Sequence, residues 1–185
     1  MSEQKTLLRF FTVADYEDEE RWLRRQHNEG WKLAKMVPPC VYVFERCEPE
    51  DVIYRLDYQN NQESGDYFQM YADYGWENCG RCAGWLYFRK SAAQMDGEQD
   101  GEIFSDNASR VDMVRHIVRT RMLPLLIIFF AAVLPNFFAR NIWSDGFWPR
   151  GFALFWDLMF LLYLFLFVHC GLKLRALRRK YSNES

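Results

Sequence analysis

The stretch GWENCGRCAGWLYFRK, residues 75–90, holds the one Cys-x-x-Cys pair of the chain, Cys79 and Cys82, directly before a run with strand character. Read as a zinc or dithiol site, it makes this a metal- or redox-dependent domain. Read as a turn entering a strand, it closes an antiparallel sheet. A thioredoxin-type dithiol needs its first cysteine at a helix N-terminus, where the dipole lowers the thiol pKa; Cys79 instead follows a helix that ends at Gly75. Zinc requires about four ligands. Cys40 and Cys47 are seven residues apart, an odd interval that sends them to opposite faces of one strand. The pair therefore reads as structural, and no metal or cofactor is expected.

Upstream, DYFQMYADY at 66–74 places Tyr67, Met70, Tyr71 and Tyr74 on one helical face. Gly75 and Trp76 follow, as Gly30 and Trp31 follow an earlier helix, which points to an internal duplication or to the same packing problem solved twice. That earlier helix opens after Asp15, a residue suited to the N-cap. It carries Glu17, Asp18, Glu19 and Glu20 early and Arg21, Arg24, Arg25 and His27 late, the polarity that suits the helix dipole. Gly30 ends it as a residue able to take positive φ, with Trp31 expected to fold over the core. KTLLRFFTV precedes this helix; KLAKMV, CVYVFER and DVIYRLDY follow it, punctuated by Pro38-Pro39 and by Glu48-Pro49-Glu50-Asp51. In the last run Tyr54, Leu56 and Tyr58 alternate with Ile53, Arg55 and Asp57, the pattern of a sheet with one wetter face. The expectation is an α+β fold, an antiparallel sheet with two helices on one face in a ferredoxin-like sandwich, followed by a two-helix transmembrane hairpin.

The aromatic residues of this half are its unusual resource. Tyr42, Tyr54, Tyr71, Trp76 and Trp85, with Arg55 and Asp57 as polar handles, are the candidate ligand- or partner-binding residues, and the competing reading makes the rings simply core. His27, His116 and His169 have no nearby nucleophile in a recognisable elbow, and no Gly-rich phosphate loop exists. No catalytic residue is assigned, and the chain is not read as an enzyme. Lys plus Arg number 23 against 25 Asp plus Glu, which gives no net charge for direct nucleic-acid binding.

Downstream the composition changes. MLPLLIIFFAAVLPNFF at 122–138 and FALFWDLMFLLYLFLFVHCGL at 152–172 are each close to the roughly 20 apolar residues that span a hydrocarbon core. Pro124 and Pro135 lie near the ends of the first, where lost backbone bonds are more easily replaced. Arg110, Arg115, His116, Arg119 and Arg121 precede it; Lys173, Arg175, Arg178, Arg179 and Lys180 follow the second, while the connection holds only Arg140 and Arg150, offset by Asp145. The positive-inside rule then puts both termini in the cytoplasm of a multi-pass protein of the cell membrane. Trp143, Trp148 and Trp156 suit the outer interface. Asp157 is the acid inside a span, read as reaching the interface or pairing with Arg140, with an ion relay or an oligomer contact as the sharper alternatives. The resulting division is a cytoplasmic domain 1–92, a linker 93–103, a juxtamembrane helix 104–121 capped by Ser105 and Asp106, spans 122–141 and 152–172 around an outer loop 142–151, and a basic tail 173–185 suited to anionic headgroups.

The ordered series WLRRQHNEGWKL, VYVFER with DVIYRLDY, YADYGWE, GWLYFRK and EIFSDNASR, over about residues 6–112, resembles the bacterial domain-of-unknown-function family numbered 2812. The resemblance implies C-terminal membrane spans and a regulatory setting beside PadR-like transcriptional regulators, and brings no catalytic residues. The expected function is a membrane-anchored cytoplasmic interaction or sensory module. It would work by binding a protein partner, a PadR-like regulator or another membrane protein, beside its contact with the bilayer. A small-ligand domain with an aromatic pocket, an accessory subunit of a membrane transporter, and a homo-oligomer stay open.

Overall fold

The computed structural model describes residues 3–58, 65–95, 97–103, 107–142 and 150–183. It divides into two compact units, Met1–Ser109 and Arg110–Ser185.

Among the described residues the first unit is mixed α/β, with two antiparallel three-stranded sheets and two α-helices, α1 and α2. It contains β1 (Gln4–Leu8), α1 (Tyr16–Asn28), β2 (Trp31–Val37), β3 (Val41–Arg46), β4 (Val52–Tyr58), α2 (Gly65–Asp73), β5 (Glu77–Cys82) and β6 (Trp85–Ser91). The strand orders are β1-β3-β2 and β4-β6-β5, so the head is one βαββ plan used twice. The recurrence of Gly-Trp extends to details. Gly30 and Gly75 both take positive φ, 83° and 80°. Both following strands slip register at the same distance from their Trp, between Leu33 and Lys35 and between Asn78 and Gly80. Phe44 and Phe88, opposite Leu33 and Asn78, are both fully buried.

Cys79 stands at the second of these bulges and Cys82 at the end of β5, so the residues ahead of Trp85, which the sequence reads as a turn, form a strand of their own. Their Gly-Cys-rich composition carries little strand signal; pairing with β6 supplies it.

Helix α1 lies between sheet faces. Trp22 packs edge-on against Tyr42 and Phe44 of the first sheet, while Tyr16 stacks on Trp85 of the second at 5.4 Å. Strand neighbours alternate sides, so Tyr54, Leu56, Tyr58, Trp85 and Tyr87 face α1, whereas Ile53, Leu86 and Phe88 meet Tyr71, Trp76 and Ile103 on the other side. The wetter face expected for Arg55 and Asp57 is therefore covered, by α2 and by the chain around Ile103. Asp57 is only 2% exposed.

Three further expectations are corrected. The buried face of α2 is Tyr67, Phe68 and Tyr71, while Met70 and Tyr74 stay exposed. Trp31, expected to fold over the core, is half-buried with Lys5 and Arg46 over its ring. Asp15 occupies the N-cap position of α1, but its carboxylate turns back to accept from Thr12 N and Oγ1.

The second unit is helical: α3 (Asn107–Ile117), a π-turn Val118–Met122, α4 (Leu123–Ile128), a second π-turn Phe129–Val133, α5 (Leu134–Ile142) and α6 (Arg150–Asn183). Each π-turn ends two residues before a Pro, with Leu123 before Pro124 and Leu134 before Pro135. A proline cannot donate and crowds the carbonyl four residues back, and the wider turn relieves that crowding. Side chains bond backbone carbonyls nearby, Thr120 Oγ1 to His116 O and Asn136 Nδ2 to Ala132 O, both at 2.7 Å. Phe129 contacts Phe160, Tyr163 and Phe167, and Phe137 stacks on Phe160 at 4.4 Å, so an aromatic seam joins the two arms.

Two helical stretches, Ser109–Ala139 and Leu154–Tyr181, are long and apolar enough to cross a membrane, each holding an 18-residue window of mean hydropathy 2.2 and 1.8 respectively. Leu154, Leu158, Leu161, Phe165 and Leu172 are all 60% exposed or more, an apolar surface that lipid accommodates and water does not. Helix α6 continues without a break through the cationic stretch from Lys173. At that end Leu174, Leu177 and Tyr181 are buried, as are Met113, Val114 and Ile117 of α3, and the Arg110 guanidinium lies 5.2 Å from the centre of the Tyr181 ring. Ser105, Asp106, Trp143, Asp145 and Trp148 lie outside the described residues. Asp157 is half-buried about two turns into α6.

Candidate functional site

Polar chemistry in the head is concentrated where α1 meets the strands. The buried face of α1 recurs at Tyr16, Glu19, Glu20, Leu23 and His27, so two carboxylates and an imidazole point inward. Glu19 Oε1 accepts from Tyr42 Oη at 2.8 Å and from Tyr87 Oη at 2.7 Å. Burial raises the Glu19 pKa, and the two phenol donors oppose that rise. Glu20 Oε1 accepts the backbone N–H of Leu56 at 2.8 Å, on β4, an edge strand of its sheet. This blocks part of an edge that would otherwise be open to pairing. Burial pushes the Glu20 pKa up to about 8, although Arg55 and the Leu56 amide favour the charged form.

Arg55 connects this system to the chain leaving the head. Its Nη1 is 3.4 Å from Glu20 Oε2, while Nε and Nη2 donate to the two oxygens of Glu102 at 3.2 and 2.9 Å. The neighbouring Ile103 is buried with Ile53 and Phe88, and Gly101 lies so close to Ile53 and Met95 that a Cβ there would meet them at 3.2–3.3 Å. Residues 101–103 are thus held at three consecutive positions.

A second polar line runs beneath the first sheet edge. Tyr54 Oη accepts Leu33 N–H at 3.4 Å and lies 2.8 Å from His27 Nδ1. Burial, then the charge of Arg89, lowers the His27 pKa. Arg89 forms a two-pronged pair with Glu77 at 2.6–2.7 Å and reaches Leu33 O.

The sequence-nominated residues fall into these networks. Tyr42 serves Glu19, Tyr54 serves His27, Arg55 holds Glu20 and Glu102, and Asp57 accepts from Tyr67 Oη, which also bonds Tyr71. Trp76 and Trp85 are core, 4% and 6% exposed. Burial raises the Cys79 thiol to about 12 and raises Cys82 as well, which opposes thiolate formation. Among the described residues no group of three or more His, Cys, Asp or Glu is placed to hold a metal.

The outward feature that sequence reading missed is an open groove of about 780 Å³ along α1, lined by Arg9, Phe10, Phe11, Arg21, Arg24 and Arg25 with three aspartates. Arg24 is paired with Asp51 through two 2.6 Å bonds, and Arg21 with Asp18. Arg9 instead lies over the rings of Phe11 and Trp22, 5.1 Å from each. Phe10 is 66% exposed beside it. The groove is hidden because it joins the exit of β1, the outer face of α1 and Asp51. The inward turn of Glu19 and Glu20 is likewise invisible in the sequence, where the helix dipole alone accounts for them.

A family model described as a protein of unknown function (DUF2812) matches residues 15–128, from the start of α1 to the end of α4. No curated protein and no solved structure matches the chain.

Proposed function

As the chain belongs to the DUF2812 family, whose function is uncharacterised, we propose that it is a membrane-anchored interaction module whose head passes the binding of a protein partner to the membrane helices. The two apolar helices are the anchor, and the cation distribution around them favours a head and both termini on the cytoplasmic side of the cell membrane. The partner is a regulator, as the PadR-linked resemblance implies, or another membrane protein.

One observation carries this reading. The head grips the segment that leads to α3, through Ile103 in its core and Glu102 on the Arg55 guanidinium, which also lies beside Glu20. A freely tethered domain has no need to bury that segment. Through Arg55, a partner bound at α1 would act on Glu102 at the end of the head's own chain.

The test is affinity purification of the full chain from native membranes, followed by hydrogen exchange before and after the retained protein is stripped off. The proposal expects one near-stoichiometric partner, whose removal changes exchange both in α1 and across 101–113. Recovery of lipid and chaperones alone, or a change confined to the contact surface, would overturn it.

A further inference from the structure

We propose that the groove along α1 docks an acidic peptide segment of the partner, with carboxylates on Arg9 and Arg25 and an apolar side chain against Phe10. This rests on the reading of the head as an interaction module and names the surface and the chemistry of what it binds.

Charge complementarity carries the assignment. The fold provides Arg24 with Asp51 and Arg21 with Asp18, while the Asp15 carboxylate is occupied by Thr12. Arg9 and Arg25 line the same groove, and neither has a carboxylate partner among the described residues. Arg9 is already ordered by lying over Phe11 and Trp22, so little side-chain freedom is lost when an anion arrives. A planar guanidinium fixed in this way offers the fork that matches a carboxylate.

The same geometry discriminates between classes of anion. Asp15, Asp18 and Asp51 line the groove with the arginines, and they repel a polyphosphate backbone or a dense headgroup surface. A peptide can place its few carboxylates on the two arginines and avoid them. Phe10, two-thirds exposed, gives the groove an apolar side where an aromatic or aliphatic residue would be shielded from water.

The full chain in phosphatidylcholine nanodiscs is titrated with a short fluorescent peptide of Glu, Asp and Phe, and with its twin carrying Gln and Asn in place of the acids. The acidic peptide should bind at least about tenfold more tightly than the twin. Arg25→Glu should remove about tenfold of that affinity, Arg25→Lys should lose less, and Phe10→Ser should weaken both peptides. Unchanged amide exchange in α1 of each variant shows that the fold is kept. Equal binding of the two peptides, or indifference to Arg25→Glu, overturns the proposal. So does amide protection at 8–11 that appears only in phosphatidylglycerol nanodiscs, which assigns the surface to lipid instead. If the peptide fails while purification from membranes still yields a partner, only the docking site falls.

Discussion

Gly30 and Gly75 hold the same backbone conformation at the same place in the two halves of the head, yet they meet different neighbours. A Cβ at Gly30 would lie 3.0 Å from the backbone carbonyl of Cys47; at Gly75 it would lie 3.4 Å from Lys90 Cε, the far part of a flexible side chain. Left-handed φ costs either alanine about 1–2 kcal/mol. The rigid contact adds to Gly30→Ala alone. Thermal unfolding should show Gly30→Ala as the more damaging change by about 1 kcal/mol or more, and equal losses would mean that the two turns are not packed as described.

Glu20 gives the head a pH signature of defined sign. Its folded pKa, about 8, lies above the ordinary carboxylate value, so between about pH 5 and pH 8 the folded state holds a proton that the unfolded state has released. Stability conferred by the neutral form is complete below the lower value and is lost as pH rises through the window. His27, shifted down by burial, acts in the opposite direction at the acid end, so the readout is the difference between variants. Glu20→Gln keeps an acceptor for Leu56 N–H and should flatten the loss by a few kcal/mol, on the order of one per pKa unit. Parallel denaturation curves for the two chains across that range would refute it.

The hold on residues 101–103 should be separable from folding of the head. Ile103→Ala removes a buried side chain from the α2 side of the second sheet and should cost about 2 kcal/mol. Glu102→Gln loses the ionic part of the Arg55 contact and should cost less, about 1 kcal/mol. In both, amide exchange at 101–103 should accelerate while β6 stays protected. Exchange that is already fast in the parent chain would show that the segment is not held.

Cys79 should be a slow nucleophile. Its thiol is pushed up to about 12 by burial, so at pH 8 little of it is thiolate. Alkylation followed by peptide mass spectrometry should label Cys47 well before Cys79, by about tenfold or more. Faster labelling of Cys79 would restore the redox reading of the Cys-x-x-Cys pair.

Much of this molecule was legible in its sequence because the decisive signals are local. Gly30 and Gly75 mark helix ends, alternation marks β4, and two apolar runs mark the helices able to cross a membrane. What escaped depends on long-range packing. Arg55 and Asp57 alternate as though they faced water, but α2 and Ile103 cover that face, a fact that no window around residue 55 contains. Glu19 and Glu20 satisfy the helix dipole so well that their second role, bonding Tyr42, Tyr87 and the edge of β4, stayed hidden. Strand β5 was unreadable because its partner, β6, and not its own composition, makes it a strand.

Coupling of a cytoplasmic partner to the membrane helices requires the head to lie on the cytoplasmic side of the bilayer. Intact cells expressing the full chain with Ser144→Cys are treated with a membrane-impermeant maleimide and compared with permeabilised cells. The topology argued above predicts labelling at position 144 without permeabilisation, and at Cys40 and Cys47 only after it. Labelling of Cys40 or Cys47 from outside in intact cells, with position 144 protected, would contradict it.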